Sequence, residues 1–224
     1  MFAKLAMIHS IAGLVPMFDG LCAELMPGVE RIHIADEAVL RMVLAAGQLT
    51  PAACRRVCDD AAAAEMAGAD VILVTCSSIS PCVDAARQLV SVPVLKIDEP
   101  MADRAVSLGT RIGVAATAPT TLGPTRDLVQ ARARAAGKEV QVEALLCEGA
   151  YEALFAGRQA EHDRIVRECL QRLMARNDVV VLAQASMARV ADQAPEAERA
   201  TPILSSPRLG MERTRDVIRG LGKE

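Results

Sequence analysis

The chain has 224 residues, a formal net charge of −3, and 52% hydrophobic residues of which few are aromatic and none is Trp. That charge gives no electrostatic reason to bind nucleic acid or an anionic membrane, and the length allows one large α/β domain or two small ones. A core of Val, Ile, Leu, Ala and Met suits strands covered on both faces by helices, with a small molecule as the expected partner.

The first residues, Met1–Ile8, run straight into a strand pattern without a basic leader or cleavage site. No apolar run reaches the roughly 18 residues of a membrane span. Seven Cys make an odd set without scaffold spacing, which reads as free thiols in a reducing cytoplasm. Strands are predicted at 4–9, 29–34, 70–75, 93–97, 111–116, 139–146, 178–183 and 202–204. Helices are predicted between them, at 16–26, 37–46, 51–67, 81–90, 99–108, 119–136, 160–176 and 206–220. Such alternation implies parallel sheets flanked by helices. Asp36-Glu37 starts one helix, Ser80-Pro81 offers an N-cap and N1 proline to another, and Gly47, Gly68, Gly109 and Gly137 close helices.

The second half repeats the first. Lys4-Leu-Ala-Met-Ile-His9 aligns with Arg111-Ile-Gly-Val-Ala-Ala116, Asp70-Val-Ile-Leu-Val-Thr-Cys76-Ser-Ser78 with Asp178-Val-Val-Val-Leu-Ala-Gln184-Ala-Ser186, and Val92-Pro-Val-Leu95 with Thr201-Pro-Ile-Leu204. The expected architecture is two pseudo-symmetric α/β lobes, each a mainly parallel four-stranded sheet flanked by helices. Lobe 1 takes 1–97 plus 206–224, lobe 2 takes 98–205, and the active site is expected in the cleft between them. Ligands of open α/β sheets bind at the carboxyl ends of the strands.

The candidate residues lie at those ends. Cys76 ends a buried strand before a helix, a position where the partial positive charge of the helix lowers a thiol pKa. Thr75, Ser77 and Ser78 offer hydroxyls to a carboxylate. His9 and Ser10 end the first strand, and His9 is a candidate to accept the thiol proton or to steady a thiolate. Thr117, Pro119, Thr120 and Thr121 begin the helix after the fifth strand. Gln184, Ser186 and Met187 end the seventh; Gln184 exchanges hydrogen bonds but serves as no base near neutral pH. Cys147 reads better as core. Cys54 and Cys58, one turn apart on a helix, lack a second ligand pair, so no zinc or other metal site is expected. Cys22, Cys82 and Cys169 read as packing residues, and no Gly-rich phosphate loop is present.

Together, Ile8-His9-Ser10, Thr75-Cys76-Ser77-Ser78, Arg111-Ile-Gly-Val114 with Thr117, and Leu182-Ala-Gln-Ala-Ser-Met187 resemble the aspartate/glutamate/hydantoin racemase superfamily along almost the whole chain. The resemblance implies a two-lobed α/β enzyme that needs no pyridoxal phosphate, metal or nicotinamide, with Cys76 as the first catalytic cysteine. In such chemistry hydroxyl and N–H donors stabilise an enediolate, one thiolate removes the α-proton and a second thiol reprotonates the other face. This chain departs at the second position, where Gln184 replaces the usual cysteine, and at His9, where amino-acid racemases tend to carry an acid. The expected function is therefore a cofactor-independent racemase- or isomerase-like enzyme acting on a small carboxylate through Cys76. A single-thiol decarboxylase or lyase, and a non-catalytic carboxylate-binding protein, are the alternatives. A cytoplasmic homo-oligomer, most commonly a dimer, is expected of such an enzyme.

Overall fold

The computed structural model describes residues 3–193 and 201–222. The chain forms two compact units: the first runs to Asp98 and resumes at Pro207, and the second spans Glu99–Ser206.

In the first unit, β1 (Lys4–His9), α1 (Val15–Leu25), β2 (Glu30–Ala35), α2 (Glu37–Ala46), α3 (Pro51–Met66), β3 (Val71–Val74), α4 (Val83–Ala86) and β4 (Val94–Lys96) follow in order. All pairings are parallel, in the order β2-β1-β3-β4. Strand alternation sorts the core into two layers. Ala6, Ile8, Ile72 and Val74 face Val39 and Val43 of α2, Val57 and Ala61 of α3, and Val83 of α4. Leu5, Met7, Val71 and Leu73 face Phe18 and Cys22 of α1, with Met211 and Ile218 of the last helix, Ser206–Gly220.

The second unit holds α5 (Glu99–Leu108), β5 (Arg111–Ala116), α6 (Pro119–Ala135), β6 (Gln141–Leu146), α7 (Ala150–Phe155), α8 (Gln159–Met174), β7 (Val179–Leu182), α9 (Ala188–Asp192) and β8 (Ile203–Ser205); the last helix is α10. Its sheet is also wholly parallel, in the order β6-β5-β7-β8. The two sheets therefore share one topology, as the internal repeat implies. They also share a fastening. Asp70 Oδ2 accepts the backbone N–H of Lys4 at 2.8 Å, and Asp178 Oδ2 accepts that of Arg111 at 2.9 Å. In return each aspartate donates its own N–H to the carbonyl of the same residue, at 2.8 Å in both units. Gly109 permits the Asp178 fastening, because a side chain there would place Cβ 3.1 Å from the Asp178 carboxyl carbon.

The strand ends match the sequence reading to within a residue or two, which is the usual uncertainty of element boundaries. The helix expected at 81–90 does not form at that length. A 3-10 turn, Ser80–Cys82, is followed by the four-residue α4. Ser80 gives no N-cap there: its hydroxyl instead donates to the buried Asp98 carboxylate at 2.7 Å. Asp36 does cap α2, accepting from the N–H groups of Ala38 and Val39. Two short helices, α7 and α9, are new to the structure; a helix under two turns carries too little apolar periodicity to be read. Among the described residues no helix is long and apolar enough to cross a membrane.

Candidate active site

In the first unit the β1 and β3 ends lie side by side, because Ile8 pairs with Val74 and the Thr75 N–H reaches the Ile8 carbonyl at 3.0 Å. Alternation then sends consecutive side chains to opposite faces. Cys76 packs on the α2–α3 layer below Ile8 and Val74. His9 and Thr75 continue the Met7 and Leu73 face toward α1, where the His9 ring lies 5.4 Å from that of Phe18.

On that second face a chain of hydrogen bonds leads outward from Thr75. Its hydroxyl is 2.9 Å from His9 Nδ1, His9 Nε2 is 2.9 Å from His33 Nδ1, and His33 Nε2 is 3.2 Å from Asp19 Oδ1. A carboxylate only accepts, so His33 carries its proton on Nε2. The Thr75 hydroxyl also lies 3.0 Å from the Ile8 carbonyl, so the carbonyl and His9 Nδ1 compete for its single proton. Burial and the neighbouring His33 push the His9 pKa down to about 4, against a weaker pull upward from Asp19. Both ring nitrogens of His9 are engaged, and neither partner is Cys76. His9 is therefore suited to orienting Thr75, and poorly suited to accepting a thiol proton or standing beside a thiolate as imidazolium.

Cys76 is partly accessible. Burial raises its thiol pKa, while the Ser10 hydroxyl, the N–H groups of Ser78 and Ile79, and the Ser78 hydroxyl all favour the thiolate. Burial wins, so the net shift is upward rather than the downward shift expected from a helix dipole. The helix offsets little of it, because one 3-10 turn and four α residues supply little dipole. Ser10 Oγ is buried and makes no hydrogen bond of its own, which leaves its proton available when the sulfur ionises. Ser78 is buried beside it. Ser77 turns the other way. With Ser80 it serves the buried Asp98, whose carboxyl pKa is raised by burial and lowered by those two hydroxyls and Lys96. Asp98 thus ties down the loop that carries Cys76.

In the second unit the same strand ends carry Thr117 and Gln184. Gln184 Oε1 accepts three donors: the Thr117 N–H at 2.6 Å, the Thr117 hydroxyl at 2.9 Å and the Ala118 N–H at 3.2 Å. Convergence of three donors fixes the amide orientation, because the NH₂ group has nothing to accept with. Gln184 therefore fills the N-terminal end of α6 with its own oxygen and presents Nε2 as a donor. Thr121 bonds back to the Ala118 carbonyl at 2.9 Å, Thr120 is buried, and Pro119 is exposed at the first helical position. Ser186 is exposed, unlike its repeat partner Ser78. Met187 is fully buried among Leu182, Val166 and Val190, so it is a core residue rather than the substrate contact expected. Cys147 is also fully buried in that layer.

Asp98, His33 and Asp19 were not singled out from sequence. All three lie far from Cys76 in sequence: His33 sits across from Met7 in the parallel pairing, Asp19 lies on α1, and Asp98 follows β4.

Comparison with known proteins bears on the family and the fold. The model of the Asp/Glu/Hydantoin racemase family matches residues 14–214. None of the curated proteins searched matches the sequence itself. Among solved structures, glutamate racemase from Francisella tularensis in complex with D-glutamate superposes with a TM-score of 0.78 at 12% identity, covering 98% of this chain and 82% of that one. Allantoin racemase from Klebsiella pneumoniae gives 0.69 at 19% identity, with 98% and 89% covered. Picrophilus torridus aspartate racemase gives 0.72 at 12%, with 99% and 95% covered. At these identities the superpositions speak for the fold, and the family match spans most of the sequence that builds both strand-end clusters: the chain belongs to the Asp/Glu/Hydantoin racemase family.

Proposed function

We propose that the protein is a cofactor-independent enzyme of racemase or isomerase type, acting on a small carboxylic acid or amino-acid derivative through one thiol, Cys76. The observation that carries this reading is the capture of Gln184 Oε1 by Thr117 and Ala118. An amide held in that way donates a hydrogen bond from Nε2 but releases no proton near neutral pH. It suits the stabilisation of an oxyanion and cannot replace a second acid. Cys76, with Ser10 and Ser78 ready to stabilise its thiolate, is then the group that moves the α-proton. His9 orients Thr75. Ser186 and the Thr117–Thr120 segment are the proposed carboxylate contacts of the second unit.

A single-thiol decarboxylase or lyase is the second reading, favoured by the upward shift of the Cys76 thiol. A thiol that rests protonated is poised to give a proton to an enediolate formed by C–C cleavage.

Proton NMR in deuterated water with a panel of α-amino, α-hydroxy, hydantoin-type and malonate-type acids separates the two. Deuterium entering the α-position of an otherwise unchanged substrate supports the first reading, and loss of CO₂ supports the second. Cys76→Ser is expected to slow either reaction by about 10²–10⁴-fold. Full turnover in that variant would overturn both readings, and silence across the panel counts against both.

A further inference from the structure

Three thiols that play no part in the reaction scheme meet directly behind the Cys76 loop. Cys54 and Cys58 lie one turn apart on α3, and Cys82 ends the 3-10 turn that follows Cys76. All three belong to the same packed layer as Cys76 itself. Cys54 is partly accessible, whereas Cys58 and Cys82 are buried. Cys54 packs in one layer with Cys58 and Cys82 and adds to the upward shift that burial gives both thiols. Among the described residues no His, Cys, Asp and Glu group is arranged to hold a metal ion, so the cluster calls for thiol chemistry.

The geometry favours one pair. Residues four apart on a helix keep their Cβ atoms about 5–6 Å apart. A disulfide needs Cβ atoms about 3.5–4.5 Å apart, which Cys54 and Cys58 cannot reach within an intact α3. Cys54 and Cys82 lie on different elements and are free of that limit. The second unit offers a contrast, since Cys147 and Cys169 also contact each other but both are buried.

We propose that Cys54 and Cys82 form an oxidation site, closed to a disulfide by exchange with a low-molecular-weight disulfide such as glutathione disulfide. The accessible Cys54 thiolate attacks one sulfur of the reagent and expels a glutathione thiolate, leaving glutathione on Cys54. Cys82 then attacks the Cys54 sulfur, and its proton leaves with the second glutathione. Two protein thiols are oxidised and one glutathione disulfide is reduced to two glutathiones. Closure draws Cys82 toward α3. Cys82 donates its N–H to the Ile79 carbonyl at 3.0 Å, and Ile79 donates its N–H to the Cys76 carbonyl at 3.2 Å. The displacement therefore passes along two turn bonds to Cys76. This consequence rests on Cys76 being the working thiol; the oxidation site itself does not.

The test incubates the full-length native protein with glutathione disulfide and blocks the remaining thiols. Digestion with trypsin and an Asp-specific protease follows. These cuts place Cys54, Cys58 and the Cys76/Cys82 segment on three peptides, and fragmentation separates Cys76 from Cys82. The expected result is a Cys54–Cys82 cross-link that dithiothreitol releases and that Cys54→Ser abolishes, with Cys147 and Cys169 left reduced. Glutathione remaining on Cys54 without a link, or a link to Cys58 or Cys76, would overturn the proposal. The rate at which iodoacetamide labels Cys76 is read in parallel, by mass. A severalfold fall on oxidation, reversed by dithiothreitol and absent in Cys54→Ser, supports the coupling. An unchanged rate in cross-linked protein overturns the coupling alone and leaves the reading of Cys76 as the working thiol untouched.

Discussion

Gln184 and Thr117 are joined twice, through the Thr117 backbone N–H at 2.6 Å and its hydroxyl at 2.9 Å, both to Gln184 Oε1. The repeat makes this pair the counterpart of Cys76 and Ser10. In both units the residue after the first strand offers a hydroxyl to the second residue past the third. In one unit that donor faces a thiol that can ionise, and its buried hydroxyl has no other bond. In the other it is permanently engaged by an amide. One scaffold thus carries a site able to take up charge and a site already satisfied.

The satisfied site should be detectable in stability. Replacing Gln184 by Ala leaves the donors of Thr117 and Ala118 without their acceptor at a largely buried helix start. The expected loss is about 1–3 kcal/mol, the usual cost of stranding a buried donor. Gln184→Glu keeps an acceptor oxygen, adds a charge that the N-terminus of α6 favours, and should unfold at or above the wild-type temperature. Thermal unfolding of the two variants checks both signs; equal losses would remove the claim that the acceptor oxygen is what matters.

Asp178 makes a prediction about acid. Its carboxylate pKa is pulled down to about 2 by Arg111, first through the side-chain hydrogen bond and then through backbone N–H groups. A depressed folded pKa contributes stability that is present above the unfolded value and lost as the folded group protonates. The contribution should therefore fade as pH drops from about 4 toward 2. Asp178→Asn should flatten that part of the acid-unfolding curve while leaving the neutral baseline only slightly lower.

The features legible in the sequence were those set by local pattern. Strands of Val and Ile, the repeat of Asp70-Val-Ile-Leu-Val in Asp178-Val-Val-Val-Leu, and the strand-end location of Cys76 and Gln184 all follow from runs of a few residues. What escaped depended on which side chain faces which. His9 and Ser10 both ended a strand, yet alternation sends only Ser10 toward Cys76. Met187 reads from sequence as a strand-end substrate contact, and only the fold shows it turned into the core. Burial sets the upward thiol shift of Cys76, and Ser80, which reads from sequence as an N-cap, turns its hydroxyl to Asp98 eighteen residues on.

His9 gives a pH dependence of opposite origin. With its pKa lowered from 6.5 to about 4, the folded ring stays neutral where the unfolded ring takes a proton. Unfolding then takes up protons between those values, so this contribution is present above about 6.5 and lost as pH falls toward 4. Asp60 acts against it, because burial raises that carboxyl to about 6 and its contribution fades as pH rises toward that value. The difference between wild type and His9→Gln isolates the histidine. Urea unfolding across this range should show a shallower rise of stability with pH in the variant; parallel curves would mean that the ring is protonated in the folded state.

Asp98 should set how firmly Cys76 is held. Its buried carboxylate accepts the Ser80 hydroxyl at 2.7 Å and is also served by Ser77, the residue next to Cys76. Removing it in Asp98→Ala strands hydroxyls that are otherwise buried, at an expected cost of about 1–3 kcal/mol. Asp98→Asn retains one acceptor oxygen and releases the burden of a buried charge, so its stability should lie nearer wild type. The two variants also separate structure from function. A loosened loop exposes the Cys76 sulfur and weakens the N–H contacts from Ser78 and Ile79 that favour its thiolate. Burial outweighs those contacts at Cys76, so Asp98→Ala should label there with a lower apparent thiol pKa than wild type, and Asp98→Asn with a pKa close to it. An apparent pKa that moves equally in both variants would mean that the charge of Asp98 acts on the thiol directly, rather than through the loop.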